Sequence, residues 1–437
     1  MILLLFLLRS VFAQPLSLQE SLALVRTQNP EVQIARLQAD QANLERYKVL
    51  TNVLNIQIAG SWLDFGAPLD SYLIGDANTD VDCSSFEAFG FGDLCASFSE
   101  PLRIRDERIF DGSLQVAFPL SALYSIVKGY SANQHLHEIK KLEIEQTRQR
   151  IEISTIEVYM QALDMKSQQE ILKQTHARLL TNKQSVQAFV DQGFVNPIQL
   201  QELDLGIQQT ELGIRRLEQA YELLCGQIEL LLGLEDSFSP VPLTGNITPP
   251  KEESLQSSLS HKISFHQHQA ALDGVQAAIG DLIPSIALIG ASTVTQGQGP
   301  FTPTSQSYVG LNIKAEFGWG KKWMTLKQRK MDAMMAHQGM NIKQEALSLQ
   351  QKQHKQSWEN TIASISLAEK KVEIEKHKRE QAQAQFDAHQ ITMSDLLEAE
   401  SHFSDAQIEL LRARNQSIVS QAKYQQSINA DTLYFTP

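Results

Sequence analysis

The sequence predicts a mainly α-helical protein with a small β part, built as a tandem repeat of long coiled-coil helices. Only 22 Gly and 14 Pro punctuate its 437 residues, so long uninterrupted helices are expected. One segment carries a sustained coiled-coil seam, and several short segments alternate apolar and polar residues as strands do. The same order of elements occurs twice along the chain, which predicts an internal repeat.

Composition argues against two broad classes of function. Charged residues make up 20% of the chain, the net charge is -12, and the mean hydropathy is -0.23. These values argue against a polytopic helical membrane protein. They also argue against a nucleic-acid-binding protein, which needs a basic face.

The first residues predict an export signal. Ile2 to Leu8 form an apolar run that is too short to span a bilayer, and Val11-Phe12-Ala13 fits a small-residue cleavage site. We therefore expect a signal peptide at residues 1–13, with a buried N-terminal strand as the alternative. No cysteine stands at the cleavage point, so a lipid anchor is not expected.

Two repeats with the same plan are predicted, at residues 14–245 and 246–437, and a Pro-rich linker joins them. The shift that superposes Gly193 on His389 also superposes Leu200 on Leu396. The first repeat is expected to contain a helix at about 17–53, strands at about 54–65 and 109–119, a long helix at 125–192 and a return helix at 197–233. The second is expected to contain a helix at 254–282, strands at about 284–294 and 307–318, a long helix at 320–389 and a return helix at 394–429.

The first return helix has the clearest periodicity in the chain. Apolar residues recur three and four positions apart, the spacing of a coiled-coil seam. The seam consists of Leu200, Leu203, Ile207, Thr210, Ile214, Leu217, Tyr221, Leu224, Ile228 and Leu231. At about 1.5 Å per residue, the long helices should each extend about 100 Å.

The fourth predicted strand shows the two-residue period of a sheet with one apolar face. Val309, Leu311 and Ile313 alternate with Gly310 and Asn312. Four strands per chain cannot close a barrel, and open edges in a bilayer leave backbone groups unpaired at a cost of several kcal/mol each. The sheet must then be completed by copies of the same chain, and the physical argument alone permits a dimer, trimer or tetramer.

The two helix turns and the order of elements resemble the TolC-like outer membrane efflux protein family, also called outer membrane factors. The first turn reads Gly193-Phe194-Val195-Asn196-Pro197-Ile198-Gln199-Leu200, and the second ends Thr392-Met393-Ser394-Asp395-Leu396-Leu397-Glu398-Ala399. The resemblance covers essentially the whole mature chain. It implies a homotrimeric channel in the cell outer membrane, with a long periplasmic extension, and no chemistry of its own. The trimer would have an α-helical barrel continued by a 12-strand β-barrel, to which each protomer contributes four strands.

The resemblance also implies the partners of an exit duct. These are a periplasmic adaptor (membrane fusion) protein, an inner-membrane transporter of the RND, ABC or MFS class, and outer-membrane lipid, with no nucleic acid. We expect passive conduction of substrates that the transporter and the adaptor deliver. A type I protein secretion duct remains open, because the same channel would pass unfolded proteins. A periplasmic coiled-coil scaffold is the alternative from a different class.

The family's pore constriction corresponds to residues beside the second turn. Asp395 and Glu398 occupy positions where such proteins carry pore-facing acids, and Phe386 falls where they carry an aromatic residue. Two solvated acids in the first turn of a helix and a plain seam residue are the alternative interpretations. The adaptor-contact tip would comprise Gly193, Phe194, Val195, Asn196, Pro197, His389, Gln390, Ile391, Thr392 and Met393. Leu200 and Ile391 replace residues that link the closed tip in some relatives, so a closed state here would depend on packing or other contacts.

No catalytic residues, cofactor or metal site is expected. The pairs His135 with His137 and His266 with His268 stand two apart on predicted helices, so their side chains face different directions. Neither an HExxH motif nor a Gly-rich phosphate loop after a strand occurs. Cys83 and Cys95 lie close together in an acidic loop and are candidates for a disulfide in an exported protein.

Overall fold

A computed structural model gives the fold of the protein. It describes residues 14–71, 82–87, 89, 93, 102–193, 196–234, 237–242, 258–299, 302–314, 319–388 and 390–428. The predicted signal peptide therefore lies outside the described residues. The chain divides into two units. The first comprises the described parts of Met1–Gln41, His137–Gln267 and Ala336–Pro437, and the second comprises those of Ala42–Leu136 and His268–Met335.

Two helices occupy the N-terminal part of the chain, where a single helix over 17–53 was predicted. Helix α1 spans Leu18–Gln28 and helix α2 spans Pro30–Thr51. Asn29 between them has an extended backbone, and its side-chain oxygen accepts the backbone N–H of Glu31 at 2.8 Å. Because the proline that follows has no N–H to donate, the first helix ends before it. The prediction of one continuous helix was wrong.

The remaining helices follow the predicted pattern of long elements and shorter returns. They are α3 (Ser84–Glu87), α4 (Leu123–Asp191), α5 (Pro197–Leu232), α6 (Leu259–Gly280), α7 (Trp319–Asp387) and α8 (Met393–Ser427). Helices α4 and α7 are each 69 residues long. The bounds of the two long helices and the two return helices differ from those predicted by no more than two residues. For α6, part of the predicted first turn falls outside the described residues.

Local sequence explains where the first return helix begins and ends. The side chain of Asn196 accepts the backbone N–H of Ile198 and caps α5, whose first residue is Pro197. At the other end Gly233 has φ 67°, in the left-handed region that a side chain disfavours. Its N–H then bonds the free carbonyl groups of the last turn.

The core of the first unit is organised around Tyr159 on α4, which is fully buried. Strands β1 (Gln14–Leu16) and β5 (Phe238–Pro240) pair in parallel beside it. The Tyr159 hydroxyl lies 2.9 Å from the carbonyl oxygen of Leu16 and 2.8 Å from the backbone nitrogen of Val241. Burial raises the pKa of Tyr159 to about 12. This small parallel sheet was not predicted, because a strand of three residues leaves no period in a sequence.

The second unit contains an antiparallel sheet. Its four long strands are β2 (Asn55–Asp64), β4 (Leu102–Pro119), β6 (Ser285–Gln298) and β7 (Ser305–Lys314), and they are hydrogen-bonded in the order β2-β4-β6-β7. A short strand, β3 (Leu69–Ser71), pairs with β4 outside that path. Within the described residues the sheet thus has five strands rather than four, because β4 is longer than predicted and its extra residues pair with β3. The predicted end of β7, residues 315–318, lies outside the described residues.

In the part of the chain that the structure describes, no helix combines the length and the apolar character that a bilayer crossing requires.

Candidate functional site

One face of the sheet is mainly apolar on all four long strands, with Ser292, Ser305 and Ser307 toward one end of β6 and β7. Directly opposed residues of antiparallel strands share a face, so the register assigns each side chain to one side. Leu288 on β6 is opposite Phe118 on β4 and Leu311 on β7. The same face carries Ile56, Ile58, Gly60, Trp62, Phe110, Gly112, Leu114, Val116, Ile286, Gly290, Ser292, Val294, Val309 and Ile313.

Most of these apolar side chains are exposed in the single chain, although exposed apolar surface is normally small and scattered in a soluble monomer. Ile58 is 82% exposed, Val309 78% and Ile313 69%. The opposite face is mixed, with Gln57, Ser113, Gln115, Thr293 and Asn312 among small residues. The sheet therefore has one surface suited to an apolar environment and another that tolerates water.

The two outer strands of the path have free edges. β2 pairs with β4 alone and β7 pairs with β6 alone among the described strands, so the sheet is not closed by this chain. An edge of this length presents a row of backbone N–H and C=O groups to any strand that approaches it.

The predicted tip residues lie in the first unit, at the two helix turns. Gly193 has φ 76°, and Asn196 and Pro197 begin α5 as described above. Gln390, Ile391 and Thr392 lead into α8, which begins at Met393. Phe194, Val195 and His389 fall outside the described residues. Contact of these turns with an adaptor stays a prediction.

Asp395 serves as part of the helix cap at the second turn. The Thr392 side chain accepts the Asp395 N–H at 3.3 Å, and one Asp395 carboxylate oxygen accepts the hydroxyl and the backbone N–H of Thr392 at 2.7 and 2.9 Å. The two bonds that the carboxylate accepts hold the pKa of Asp395 below its usual range, and the bond from the Thr392 hydroxyl is the larger cause. The carboxylate is fully exposed to solvent and is held in one position at the start of α8.

Glu398 lies one turn further along α8 on the same face, since residues three apart on a helix are neighbours. Its side chain is 72% exposed, and one carboxylate oxygen lies 3.6 Å from the Nε2 atom of His402. Both acids predicted at a constriction are thus available at the surface of the chain. Their orientation toward a pore stays a prediction.

Phe386 is instead part of a buried apolar cluster at the same end of the helices. It is 5% exposed and packs with Leu179, Val186, Leu203, Ile207, Met393 and Leu396. This placement favours the packing role for Phe386, and a pore-facing role stays a prediction.

A buried charge cluster near the turns was not predicted. Glu400 on α8 is 3% exposed, and its carboxylate lies 2.9 Å from Nη2 and 3.0 Å from Nε of Arg178 on α4. Arg379 on α7 approaches the same carboxylate at 3.7 Å. The ring of Phe403 lies beside both guanidinium groups, 5.9 Å from that of Arg178 and 5.2 Å from that of Arg379. One carboxylate therefore connects three helices of the first unit.

The cysteines have separate environments. Cys83 takes part in a disulfide bond, and Cys95, its predicted partner, lies outside the described residues, so this pairing stays a prediction. Cys225 is a free, buried thiol on α5 whose pKa is raised by burial. In the described part of the chain, no group of three or more His, Cys, Asp or Glu residues has an arrangement that could hold a metal ion.

Comparison with known proteins identifies the second half of the chain. The family description "Outer membrane efflux protein" matches residues 252–430. This segment is an outer membrane efflux protein domain. The efflux protein domain contains α6, β6, β7, α7 and all of α8. It therefore includes two of the four strands of the sheet path and both predicted acids. The resemblance drawn from the two turns is confirmed. No curated protein sequence matches the chain.

The fold of the whole chain agrees with the efflux protein domain. It matches the structure of CusC, whose description concerns transmembrane channel formation, with a TM-score of 0.78 and 13% identity over 94% of this chain and 91% of that one. It also matches the CmeC outer membrane channel of Campylobacter jejuni, with a TM-score of 0.77 and 12% identity over 94% and 85% of the two chains. The outer membrane protein VceC of Vibrio cholerae matches with a TM-score of 0.75 and 12% identity over 94% and 95%. The chain therefore has the fold of outer membrane efflux channels, a group of channel proteins rather than enzymes.

Proposed function

We propose that this protein is the outer-membrane exit duct of a tripartite efflux system and that it conducts substrates passively. The observation that carries the proposal is the apolar face of the sheet. Ile58, Leu288 and Val309 lie on three different strands and all point to that face, where only lipid or protein can cover them. The efflux protein domain and the fold of known outer membrane channels support the same conclusion.

We propose that three copies of the chain complete the sheet. Four long strands cannot form a closed barrel, and open edges in hydrocarbon leave backbone groups without partners. Pairing β7 of one copy with β2 of the next would satisfy both edges, and three copies give the 12-strand barrel that the family resemblance implies. The mixed face would then surround the water-filled interior.

The exposed faces of the helices support association with other copies. On α7, Ile342 and Leu349 are one heptad apart and 67% and 57% exposed, and Leu367 and Ile374 repeat this spacing at 69% and 54%. Apolar residues at heptad spacing form the seam along which a second helix packs. Because these side chains are exposed among the described residues, we propose that neighbouring copies cover them in a trimeric helical barrel.

The same proposal assigns the partners of the duct. An inner-membrane transporter of the RND, ABC or MFS class would deliver the substrate, and a periplasmic adaptor would contact the two helix turns. A type I secretion duct would have the same channel, and the neighbouring genes would distinguish the two. A coiled-coil scaffold would leave the apolar face of the sheet without a function.

At the tip, we propose that Asp395 and Glu398 form the constriction. Threefold symmetry would bring six carboxylates together, and such a ring attracts cations and repels anions. Conductance of the detergent-purified protein in planar bilayers tests this. We expect small, cation-selective currents from the wild type and reduced cation selectivity from Asp395→Asn/Glu398→Gln, since both substitutions keep the side-chain shape and remove the charge.

The matched control is Glu218→Gln/Glu222→Gln, which removes two exposed charges from α5 away from the turns. This control should keep the cation selectivity of the wild type. If Asp395→Asn/Glu398→Gln also keeps it, the constriction lies elsewhere. If the purified protein neither requires detergent nor conducts, the duct itself is ruled out in favour of the scaffold.

The hydrogen bonds from Thr392 predict how the selectivity depends on pH. Because they lower the pKa of Asp395, its charge persists as the pH falls through the usual aspartate range, and it is lost only at the lowered pKa. Thr392→Val removes the hydroxyl bond and should move the loss of cation selectivity to higher pH. Because the substitution also removes the N-cap of α8, it should lower the free energy of unfolding by about 1 kcal/mol.

Ion selectivity measured as the pH is lowered stepwise from neutral checks this prediction. Ser394→Ala is the control, because that exposed hydroxyl lies beside the cap without contributing to it. Repulsion within the carboxylate ring affects all variants alike. The comparison therefore uses the difference between variants in the pH at which half of the cation selectivity is lost. Equal midpoints for Thr392→Val and the wild type would show that Asp395 does not set the selectivity.

A further inference from the structure

A cleft of about 470 Å³ lies at the end of the sheet where strands and helices join. It is within the second unit, between the segment that leads into α4, the end of α6, the start of β6 and the first turns of α7. Two lysines, Lys321 and Lys322, line it together with the polar residues Ser121, Ser285, Thr325 and Asp281.

The cleft borders one end of the apolar face. Ser285 is the first residue of β6, it lines the cleft, and the apolar face starts at the next residue, Ile286. If the sheet spans the membrane as proposed above, this border is the level at which acyl chains give way to phospholipid headgroups.

The two lysines have no ionic partner among the described residues. Lys321 is exposed and Lys322 is partly buried in the first turn of α7, and within the described residues neither forms an ion pair, including with Asp281. The start of a helix carries partial positive charge, so two ammonium groups there are unfavourable without an anion nearby. An anionic ligand would remove this unfavourable interaction.

The neighbouring side chains indicate which anion this is. Trp323 and Met324 directly follow the lysines and are 62% and 69% exposed. An exposed tryptophan next to lysine is typical of a membrane–water interface. The Ser121 hydroxyl accepts the N–H of Ile286 at 2.8 Å, which leaves its own proton available to a ligand oxygen. The cleft thus offers positive charge and a hydroxyl donor beside apolar surface.

We propose that this cleft binds the phosphate group of an anionic phospholipid from the periplasmic leaflet of the outer membrane. Lys321 and Lys322 pair with the phosphate, the Ser121 hydroxyl donates to it, and Trp323 lies along the glycerol and the upper acyl chain. The proposal rests on the proposed membrane location of the sheet, and it adds a lipid of defined headgroup chemistry at one place.

Binding of dihexanoyl phosphatidylglycerol to the delipidated, detergent-purified full chain tests the proposal, with native mass spectrometry as the readout. Each lysine near an anionic lipid contributes on the order of 1 kcal/mol, so Lys321→Gln/Lys322→Gln should weaken binding by roughly 30-fold. The matched control Lys327→Gln/Lys330→Gln removes two exposed charges from the same helix outside the cleft and should bind as the wild type does.

Two further ligands separate the sources of the phosphate. Dihexanoylglycerol, which lacks the phosphate, should not bind the cleft, and inorganic phosphate should not displace the lipid at equal concentration. Displacement by inorganic phosphate would overturn the lipid assignment. The proposed site would be disproved if Lys321→Gln/Lys322→Gln bound the lipid as tightly as the wild type. It would also be disproved if Lys327→Gln/Lys330→Gln lost as much lipid affinity as the cleft variant.

Conductance of the same preparations keeps this test separate from that of the proposed function. A protein that conducts but does not distinguish the two lysine variants disproves the lipid site alone. A protein that does not conduct, but whose lipid binding still depends on Lys321 and Lys322, disproves the duct alone. Circular dichroism of each variant verifies that the helices are intact.

Discussion

The variant Leu288→Arg is expected to lose most of its insertion into a bilayer, whereas Ile289→Arg inserts as the wild type does. The two residues are adjacent on β6 and point to opposite faces of the sheet. Leu288 is opposite Phe118 and Leu311 on the apolar face, and an arginine there would enter hydrocarbon. An arginine on the lipid face of a barrel costs about 2–4 kcal/mol at the midplane and about 0–1 kcal/mol at the interfaces. Leu288 lies between the border at Ile286 and the middle of β6, so we expect an intermediate cost of roughly 1–3 kcal/mol.

Ile289 is the matched control because its cross-strand neighbours, Ala117 and Gly310, leave room for an arginine on the mixed face. Folding into phosphatidylcholine vesicles, followed by urea titration, measures the free energy of insertion for each variant. If both variants insert equally, the apolar face does not contact lipid. If Ile289→Arg is the one that fails, the two faces have been assigned in the wrong order.

This pair of predictions depends on information that the sequence carries only in part. Strand β7 shows a clear alternation, because Gly310 and Asn312 separate its large apolar residues. Strand β6 does not, since small or apolar residues such as Ala287 and Ile289 stand on its mixed face. Its two faces become distinguishable only through the register with β4 and β7. The apolar face was therefore predicted from one strand, and the structure extends it to four.

The helices were more predictable than the sheet, because a long helix needs only the absence of breaking residues over many turns. The turn at Gly193 and the start of the return helix at Pro197 were predicted, and both depend on local preferences that act within a few residues. The break at Asn29 depends on the same kind of local chemistry, an Asn followed by a Pro, and attention to that pair would have found it.

The tip shows where sequence information ends. The family resemblance placed Phe386 and Glu398 near the second turn, but resemblance does not say which side of a helix faces a neighbour. Phe386 is buried against other helices of its own chain, whereas Glu398 is exposed. The contact between Arg178 and Glu400 joins residues far apart in the sequence, and no period or motif connects them. Only the packing of α4 against α8 reveals that this glutamate is buried.

Glu400→Gln is expected to lower the free energy of unfolding by about 3 kcal/mol or more. The substitution keeps the shape of the side chain but removes the charge that Arg178 and Arg379 share. Both guanidinium groups are largely shielded from water, with side-chain exposures of 29% and 22%. Removing one partner of a buried ion pair typically costs about 3–5 kcal/mol, because the remaining charge stays desolvated without compensation.

Urea unfolding of the detergent-purified protein, monitored by the helical circular dichroism signal, gives this free energy. Glu398→Gln is the control, since this glutamate lies on the same helix and is exposed, and exposed ion pairs contribute about 1 kcal/mol or less. The triple variant Glu400→Leu, Arg178→Met, Arg379→Met separates charge from packing. It should recover most of the lost stability, because apolar side chains of similar volume can replace a buried charge cluster. If Glu400→Gln is no less stable than Glu398→Gln, the three helices are held together near the tip by the apolar cluster around Phe386 rather than by the shared carboxylate.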